Sequence, residues 1–244
     1  MIKAYARTDK GNVRENNEDY FYISNSLDEV QLYILADGMG GYNGGEIASK
    51  LAVQTAKNYI ENNFKDIEKD KDSIIQLLAS SMEYANMVVY EKSKEAPELQ
   101  GMGTTLEICL IYNNKAYIGH IGDSRIYRVR KQFIRKLTQD HSYVQKLVKE
   151  GTITKEQAEH HPQKNMLMKA LGCNAFVEPD VMVKGFLKDD IIIMCSDGLS
   201  NMVDQETIYE MASKNIEQAT KDLVQLAKDR GGYDNITVVI IRNI

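Results

Sequence analysis

Between residues 105 and 137 four segments in a row read as strands, with nothing between them long enough to be a helix. Thr105–Tyr112 and Lys115–Ile121 flank Asn113-Asn114, and Ser124–Arg130 and Gln132–Leu137 follow. Asn tolerates positive φ, so the Asn pair suits a tight hairpin turn. Strands that follow one another through short turns pair antiparallel, because parallel neighbours need a crossover of about a dozen residues or more. On either side of this run the period changes. Asp19–Asn25 and Val30–Ala36 are rich in β-branched and aromatic residues, and the N-terminal third reads strand, strand, strand, helix, helix. Over Gly45–Asn62, residues Ala48, Leu51, Ala52, Ala56, Tyr59 and Ile60 recur at helical spacing, so one face is apolar. A second amphipathic helix spans about Lys71 to Glu95 and stops before Pro97, where a helix cannot easily continue. Residues 141–172 are polar and weakly patterned, and read as an appended helical lobe. Strands follow at Val177–Phe186 and Asp190–Ser196, then a helix over Asp204–Ala212 with Asp204 as N-cap. A last helix, Ile216–Asp229, stops at Gly231-Gly232 before the closing strand Ile236–Ile241. Helices in pairs between groups of antiparallel strands predict an α+β fold, with one or two antiparallel sheets and helices on the outer faces.

Composition narrows the classes. The 244 residues carry 30 Lys and Arg against 35 Asp and Glu, so the basic stripe of a nucleic-acid binder is not expected. Cys109, Cys173 and Cys195 lie far apart, which argues against a disulfide framework and for a reducing compartment. The N-terminus, MIKAYARTDKGN, has no apolar signal core, and runs such as Ile191 to Cys195 are too short to span a bilayer. The expectation is a soluble cytoplasmic protein of one domain, without membrane insertion and without a nucleic-acid partner.

The informative residues are carboxylates. Asp37 follows LYILA, Asp197 follows IIIMCS and Asp123 follows YIGHIG. Asp234 precedes ITVVII, while Glu18 and Asp19 open DYFYISN. Any one of these reads as an ordinary turn residue, since Asp-Gly is a turn dipeptide. Together they put a carboxylate where a buried strand meets a loop in five segments scattered along the chain. Strand ends gather at the edges of a sandwich, and like charges ~4 Å apart cost about 4 kcal/mol per pair at an effective dielectric of ~20. Such a cluster persists only when protons or cations neutralise it. The donors are hard oxygens, and Gly38 lets its carbonyl approach an ion. The four histidines, His120, His141, His160 and His161, lack zinc-type spacing. Mg²⁺ or Mn²⁺ is therefore expected rather than Zn²⁺. Arg14, four residues before Glu18, reads equally well as a salt-bridge partner of the acidic cluster or as a fork onto a phosphate held over the ions.

These residues resemble the metal-dependent type 2C (PPM-type) protein serine/threonine phosphatases, most closely their compact bacterial members. The matching segments are RENNED (Arg14–Asp19), ADGMGG (Ala36–Gly41), GTT (Gly103–Thr105), GDSR (Gly122–Arg125), LTQDHS (Leu137–Ser142), ALG (Ala170–Gly172), SDGL (Ser196–Leu199) and GYDNIT (Gly232–Thr237). They stand in the family's order over nearly the whole chain. The resemblance implies a sandwich of two antiparallel β-sheets flanked by pairs of α-helices, α-β-β-α, with a small helical flap at about 143–170. It implies that Asp37 bridges two Mn²⁺ or Mg²⁺ ions, joined by the Gly38 carbonyl at one and by Asp197 and Asp234 at the other. Glu18 and Asp19 would bind through waters, Asp123 with Asp197 would form a third and weaker metal site, and Arg14 would hold the substrate phosphate. Where some eukaryotic members carry a histidine proposed as general acid, this chain has Met39, so water is the expected proton source.

The implied reaction is hydrolysis of phosphoserine and phosphothreonine by direct attack of a metal-bridging hydroxide. Two divalent ions ~3.5–4 Å apart generate it, align it and neutralise the phosphoryl oxygens. The implied partners are phosphorylated proteins, among them a serine/threonine kinase whose action the enzyme reverses; a monomer is expected. Two other readings stand beside it. One is a pseudophosphatase binding module, which would need a broken metal set; the other is a different metallohydrolase, such as a small-molecule phosphatase or a nuclease, the latter needing a basic groove.

Overall fold

The computed structural model describes residues 1–25, 30–40 and 44–244; Gly41, the last residue of ADGMGG, lies outside them. In chain order they form β1 (Ile2–Asp9), β2 (Asp19–Ile23), β3 (Gln31–Met39), α1 (Gly44–Asn63) and α2 (Lys71–Lys92). Next come β4 (Gly103–Thr104), β5 (Leu106–Tyr112), β6 (Lys115–Ile121), β7 (Arg125–Arg130) and β8 (Phe133–Lys136). After these lie α3 (Tyr143–Lys149), α4 (Lys155–Glu159), β9 (Asp180–Gly185) and β10 (Ile191–Cys195). The chain ends with α5 (Asp197–Ser200), α6 (Gln205–Ala212), α7 (Ile216–Asp229) and β11 (Ile236–Asn243). One sheet has the order β1-β11-β10-β7-β8 and the other β2-β3-β5-β6-β9, with β4 added to β3. Every strand pair in them is antiparallel.

Local chemistry accounts for these elements. Asn113 and Asn114 take φ of +46° and +55°, the left-handed pair that a two-residue hairpin needs. Asp204 caps α6 through the Thr207 amide at 2.8 Å. The strand expected at Val177–Phe186 is shorter, because Pro179 has no N–H to give to a ladder; β9 starts one residue later. The helix expected to reach Glu95 ends at Lys92 with Ser93 as its C-cap, and Pro97 opens a separate 3-10 turn, Pro97–Leu99. Of the lobe at 141–172, only the short α3 and α4 are helical.

Alternation along the strands builds three apolar layers. In β3, Leu32, Ile34 and Ala36 pack under α1 and α2. In β10 and β11, Ile191, Ile193, Cys195, Val238 and Ile240 pack under α6 and α7. The remaining parity fills the gap between the sheets with Tyr33, Leu35, Cys109, Ile118, Ile192, Met194, Val239 and Ile241. Each fully buried Ile or Leu here contributes roughly 1.5–3 kcal/mol of apolar burial. The result is the expected sandwich of two antiparallel sheets between helices. Among the described residues, no helix is long and apolar enough to cross a membrane.

Candidate metal centre

The same alternation decides what stands at one end of the gap between the sheets. Continuing the gap-facing parity past Leu35 gives Asp37, and continuing it back from Phe21 gives Asp19. On β10 and β11 it gives Ser196 and Thr237, and on β5 and β6 it gives Glu107 and His120. All six lie at the same end, so the apolar filling finishes in a polar layer. Asp19 and Asp37 are register partners across β2 and β3. Asp37 therefore lies inside a strand and not at a strand–loop junction as the sequence suggested. The ladder continues past it because β4 replaces β5 as the partner at Gly38 and Met39.

Main-chain bonds fix Asp37. Its N–H donates to Thr105 Oγ1 at 2.9 Å, and its carbonyl accepts from the Thr105 amide at 2.9 Å and from Thr104 Oγ1 at 2.9 Å. A Cβ on Gly38 would lie 2.1 Å from the Gly45 carbonyl oxygen and 2.6 Å from that of Glu18. The glycine is thus required by the close approach of two backbone segments. The second Asp-Gly behaves alike, since a Cβ on Gly198 would lie 2.1 Å from the Asn235 carbonyl. Asp197 opens the single turn α5. Asp123 sits between β6 and β7, and Asp234 just before β11. The Asn235 side chain binds the 10–18 loop to this edge. It accepts from the Glu18 amide at 2.8 Å and donates to the Asn16 carbonyl at 2.8 Å and the Lys10 carbonyl at 3.0 Å.

The carboxyls raise one another's pKa. Asp37 is pushed well above the usual carboxylate range by burial and then by Asp19, Asp197, Asp123 and Asp234. Burial raises Asp19 to about 7 despite hydrogen bonds from Thr237 and Ser196. Asp123 is raised to about 7 by burial and by Asp197. Asp197 is raised by burial and by Asp234. Burial also raises Glu18, which accepts the Gly45 amide at the start of α1. Arg14 Nη2 donates to Asp234 Oδ2 at 2.8 Å, both side chains being half exposed. The seven acidic and glycine positions and the arginine named from the sequence therefore share one edge.

Among the described residues, no three His, Cys, Asp or Glu side chains already close around a single ion-sized point. Arg14 holds Asp234 and Ser196 holds Asp19 instead. The donor set nonetheless fits a hard divalent cation. It is all oxygen, its like charges need neutralising, and Asp19 Oδ1 is buried without a hydrogen-bond partner although the side chain's other oxygen accepts from Ser196 Oγ at 2.8 Å. A buried carboxylate oxygen left so is costly unless a cation or proton meets it.

The sequence profile of protein phosphatase 2C matches residues 10–232. The chain belongs to the protein phosphatase 2C family. It is 35% identical over 242 residues to the serine/threonine phosphatase stp of Listeria monocytogenes, covering 98% of this chain and 95% of that one. It is 36% identical to the protein phosphatase PhpP of Streptococcus pneumoniae, covering 96% and 94%. Among solved structures, the S. agalactiae serine/threonine phosphatase superposes with a TM-score of 0.92 at 36% identity over 100% of both chains. The catalytic domain of the phosphatase PstP in complex with two manganese ions superposes with a TM-score of 0.86 at 35% identity, over 99% of this chain and 97% of that one.

This phosphatase 2C chain also uses residues that the carboxylate pattern did not single out. Asn201 donates to Asp197 Oδ2 at 3.1 Å, and its signal was its i+4 position on the turn that Asp197 begins. Ser124 meets Thr105 at 2.9 Å between hydroxyls, tying the Asp123 turn to the Asp37 backbone. Glu107 and His120 are fully buried, with Oε1 and Nδ1 2.6 Å apart. Their signal was a charged residue at the core-facing parity of an otherwise apolar strand.

Proposed function

We propose that residues 1–244 form one metal-dependent protein serine/threonine phosphatase domain, with residues 143–170 as a flap beside the site. The observation that carries this reading is the gathering of Asp19, Asp37, Asp123, Asp197 and Asp234 at one end of the gap between the sheets, with one buried oxygen unpartnered. Family membership and a manganese-bound relative support it.

In this reading Asp37, the Gly38 carbonyl, Asp197 and Asp234 would hold two Mn²⁺ or Mg²⁺ ions, Glu18 and Asp19 would support them through waters, and Asp123 with Asp197 would hold a third. The ions supply a nucleophile at neutral pH and neutralise charge on the phosphoryl group. The rest falls to the protein. Arg14, which pairs with Asp234 in this structure, would fork its guanidinium onto the substrate phosphate. Of the three thiols, burial pushes Cys109 and Cys195 up to about 12 and also raises the exposed Cys173, so no thiolate is poised to form a phosphoenzyme. Met39 has no ionisable proton to donate, and water would protonate the departing alkoxide. The substrates are phosphoserine and phosphothreonine on flexible protein segments. The enzyme acts as a monomer in the cytoplasm, where its free cysteines fit a reducing medium, and it opposes a serine/threonine kinase.

The test is hydrolysis of a phosphothreonine peptide, p-nitrophenyl phosphate and single-stranded DNA with and without Mn²⁺. Mn²⁺-dependent turnover of the first two is expected. No turnover at saturating Mn²⁺ would leave a binding module, and cleavage of DNA would make the protein a nuclease.

A further inference from the structure

His141 stands where four parts of the molecule meet. Its main-chain N–H donates to the Gly122 carbonyl at 2.7 Å, and its ring Nδ1 accepts from the Gly122 N–H at 3.1 Å. Both polar groups of Gly122 are thus held by one residue. Its carbonyl accepts from the Met168 amide at 2.7 Å, beside the bridge between Ser142 and Leu167, which closes the base of the 143–166 segment. Its ring Nε2 lies 3.2 Å from Asp180 Oδ2 on β9. The ring stacks on His120, with centroids 4.4 Å apart and 29° between planes. His120 is pinned by Glu107 at 2.6 Å and by the Gln139 carbonyl at 2.8 Å. The His141 side chain is 11% exposed, so water does not replace these partners freely.

The hydrogen bonds select one ring form. Nδ1 accepts from an amide and so carries no proton, while Nε2 carries the proton and faces a carboxylate. Burial and the nearby His120 lower the pKa of His141, which favours that neutral ring. The consequence falls on the next residue. Asp123 stands between Gly122, clamped by His141, and Ser124, whose hydroxyl meets Thr105 Oγ1 at 2.9 Å. Thr105 in turn fixes the Asp37 backbone. Asp123 is therefore held from both sides, and one of the two holds is a histidine outside the carboxylate cluster.

We propose that His141, as its Nε2-protonated neutral ring, is a positioning residue that sets the Asp123 carboxylate in the geometry needed to take an ion. The proposal rests on the reading of Asp123 as a ligand of the third ion. Manganese calorimetry on wild type, Asp123→Asn, His141→Leu and His141→Asn tests both. Wild type should show two tight uptake steps and one weak step, and Asp123→Asn should lose the weak one. His141→Leu, which keeps the volume but has no acceptor for Gly122, weakens that step about tenfold or more and leaves the tight steps unchanged. It also lowers kcat on p-nitrophenyl phosphate with KM little altered. His141→Asn, whose amide oxygen stands near the Nδ1 position, restores much of the weak step. Long-range ¹H–¹⁵N spectra of the metal-free wild type should show His141 Nδ1 unprotonated. If Asp123→Asn changes no uptake step, the reading of Asp123 fails and the proposal with it. If Asp123→Asn removes the weak step but His141→Leu does not, the Asp123 reading stands and the proposal is wrong. Equal loss in His141→Leu and His141→Asn, or a proton on Nδ1, also overturns it.

Discussion

Asp19 allows the cost of the carboxylate edge to be worked out. Its side chain is buried, one oxygen has no partner, and its pKa rises from 3.8 to about 7. Between those pH values the folded, metal-free protein keeps a proton that the unfolded chain has released. Stability therefore falls as pH rises through this window, and the loss is complete above about 7. A shift of about 3 units corresponds to roughly 4 kcal/mol at ~1.36 kcal/mol per unit. Asp19→Asn removes the charge and keeps the shape and the acceptor for Ser196. Its new NH₂ group meets the unpartnered side and costs about 1–3 kcal/mol. The variant should thus be more stable than wild type by about 1–3 kcal/mol at pH 8 in chelator, and less stable near pH 4, where the folded wild-type side chain is neutral and most of the penalty has not yet developed. Mn²⁺ at ~100 times its dissociation constant should add about 2.7 kcal/mol to wild type and less to the variant. Urea unfolding at pH 4, 6 and 8, with chelator or Mn²⁺, measures all of this. Parallel stability curves for the two proteins across that range would overturn this account, because no proton would then be held at Asp19.

Four further outcomes follow from the same geometry. Asp37→Asn should fold and lose more than ~100-fold in turnover, since it removes the charge shared by both proposed ions; near-normal Mn²⁺-dependent activity would reject the site. Arg14→Ala should raise KM for p-nitrophenyl phosphate about tenfold with little loss of stability, because exposed ion pairs contribute at most ~1 kcal/mol; an unchanged KM would leave Arg14 as Asp234's partner alone. Gly198→Ala places a methyl 2.1 Å from the Asn235 carbonyl and should cost about 3 kcal/mol in urea melts, whereas a loss under ~0.5 kcal/mol would mean that the two segments part easily. For His120, burial opposes the charge, but Glu107 and the Gln139 carbonyl outweigh it and raise the pKa from 6.5 to about 9. Its contribution is complete below 6.5 and fades as pH rises through 9, while the Glu107 penalty, with a pKa of about 7, is already complete by then. Stability should fall by about 3 kcal/mol between pH 7 and 9.5, and His120→Gln should flatten that limb.

The strand run at 105–137 was legible because its turn residues and alternation are local properties. β6 and α7 have the bounds that the sequence suggested. Strand ends depended on partners that the sequence does not display. β3 runs through Asp37 on its β2 partner Asp19, and on through Gly38 and Met39 because β4, two residues long and far along the chain, pairs there. The carboxylates were legible as a set because five buried strands each carry one beside them. Arg14 could be read two ways because its choice depends on Asp234, which lies 220 residues away. Glu107 and His120 were overlooked, although each interrupts an apolar strand at the gap-facing parity.

Those two residues show why the edge took several strands to build. A single buried Asp is a cost that a strand does not survive well. Here each sheet contributes residues of gap-facing parity at the same end, so hydroxyls from β10 and β11 reach Asp19 of the opposite sheet, and Thr105 and Ser124 join the backbones behind Asp37 and Asp123. The sandwich brings strand ends from distant parts of the chain within reach of one another, and the apolar layer behind them keeps their charges from relaxing into water. An isolated hairpin carrying Asp19 and Asp37 would simply hydrate both. The tension that makes the edge ready for a cation is therefore a property of the closed gap between two sheets. It follows that loosening that gap far from the edge, for example by Ile192→Ala or Ile241→Ala in the inter-sheet layer, should weaken Mn²⁺ uptake as well as stability. Uptake unchanged at full stability loss would show that the edge holds its geometry without the gap.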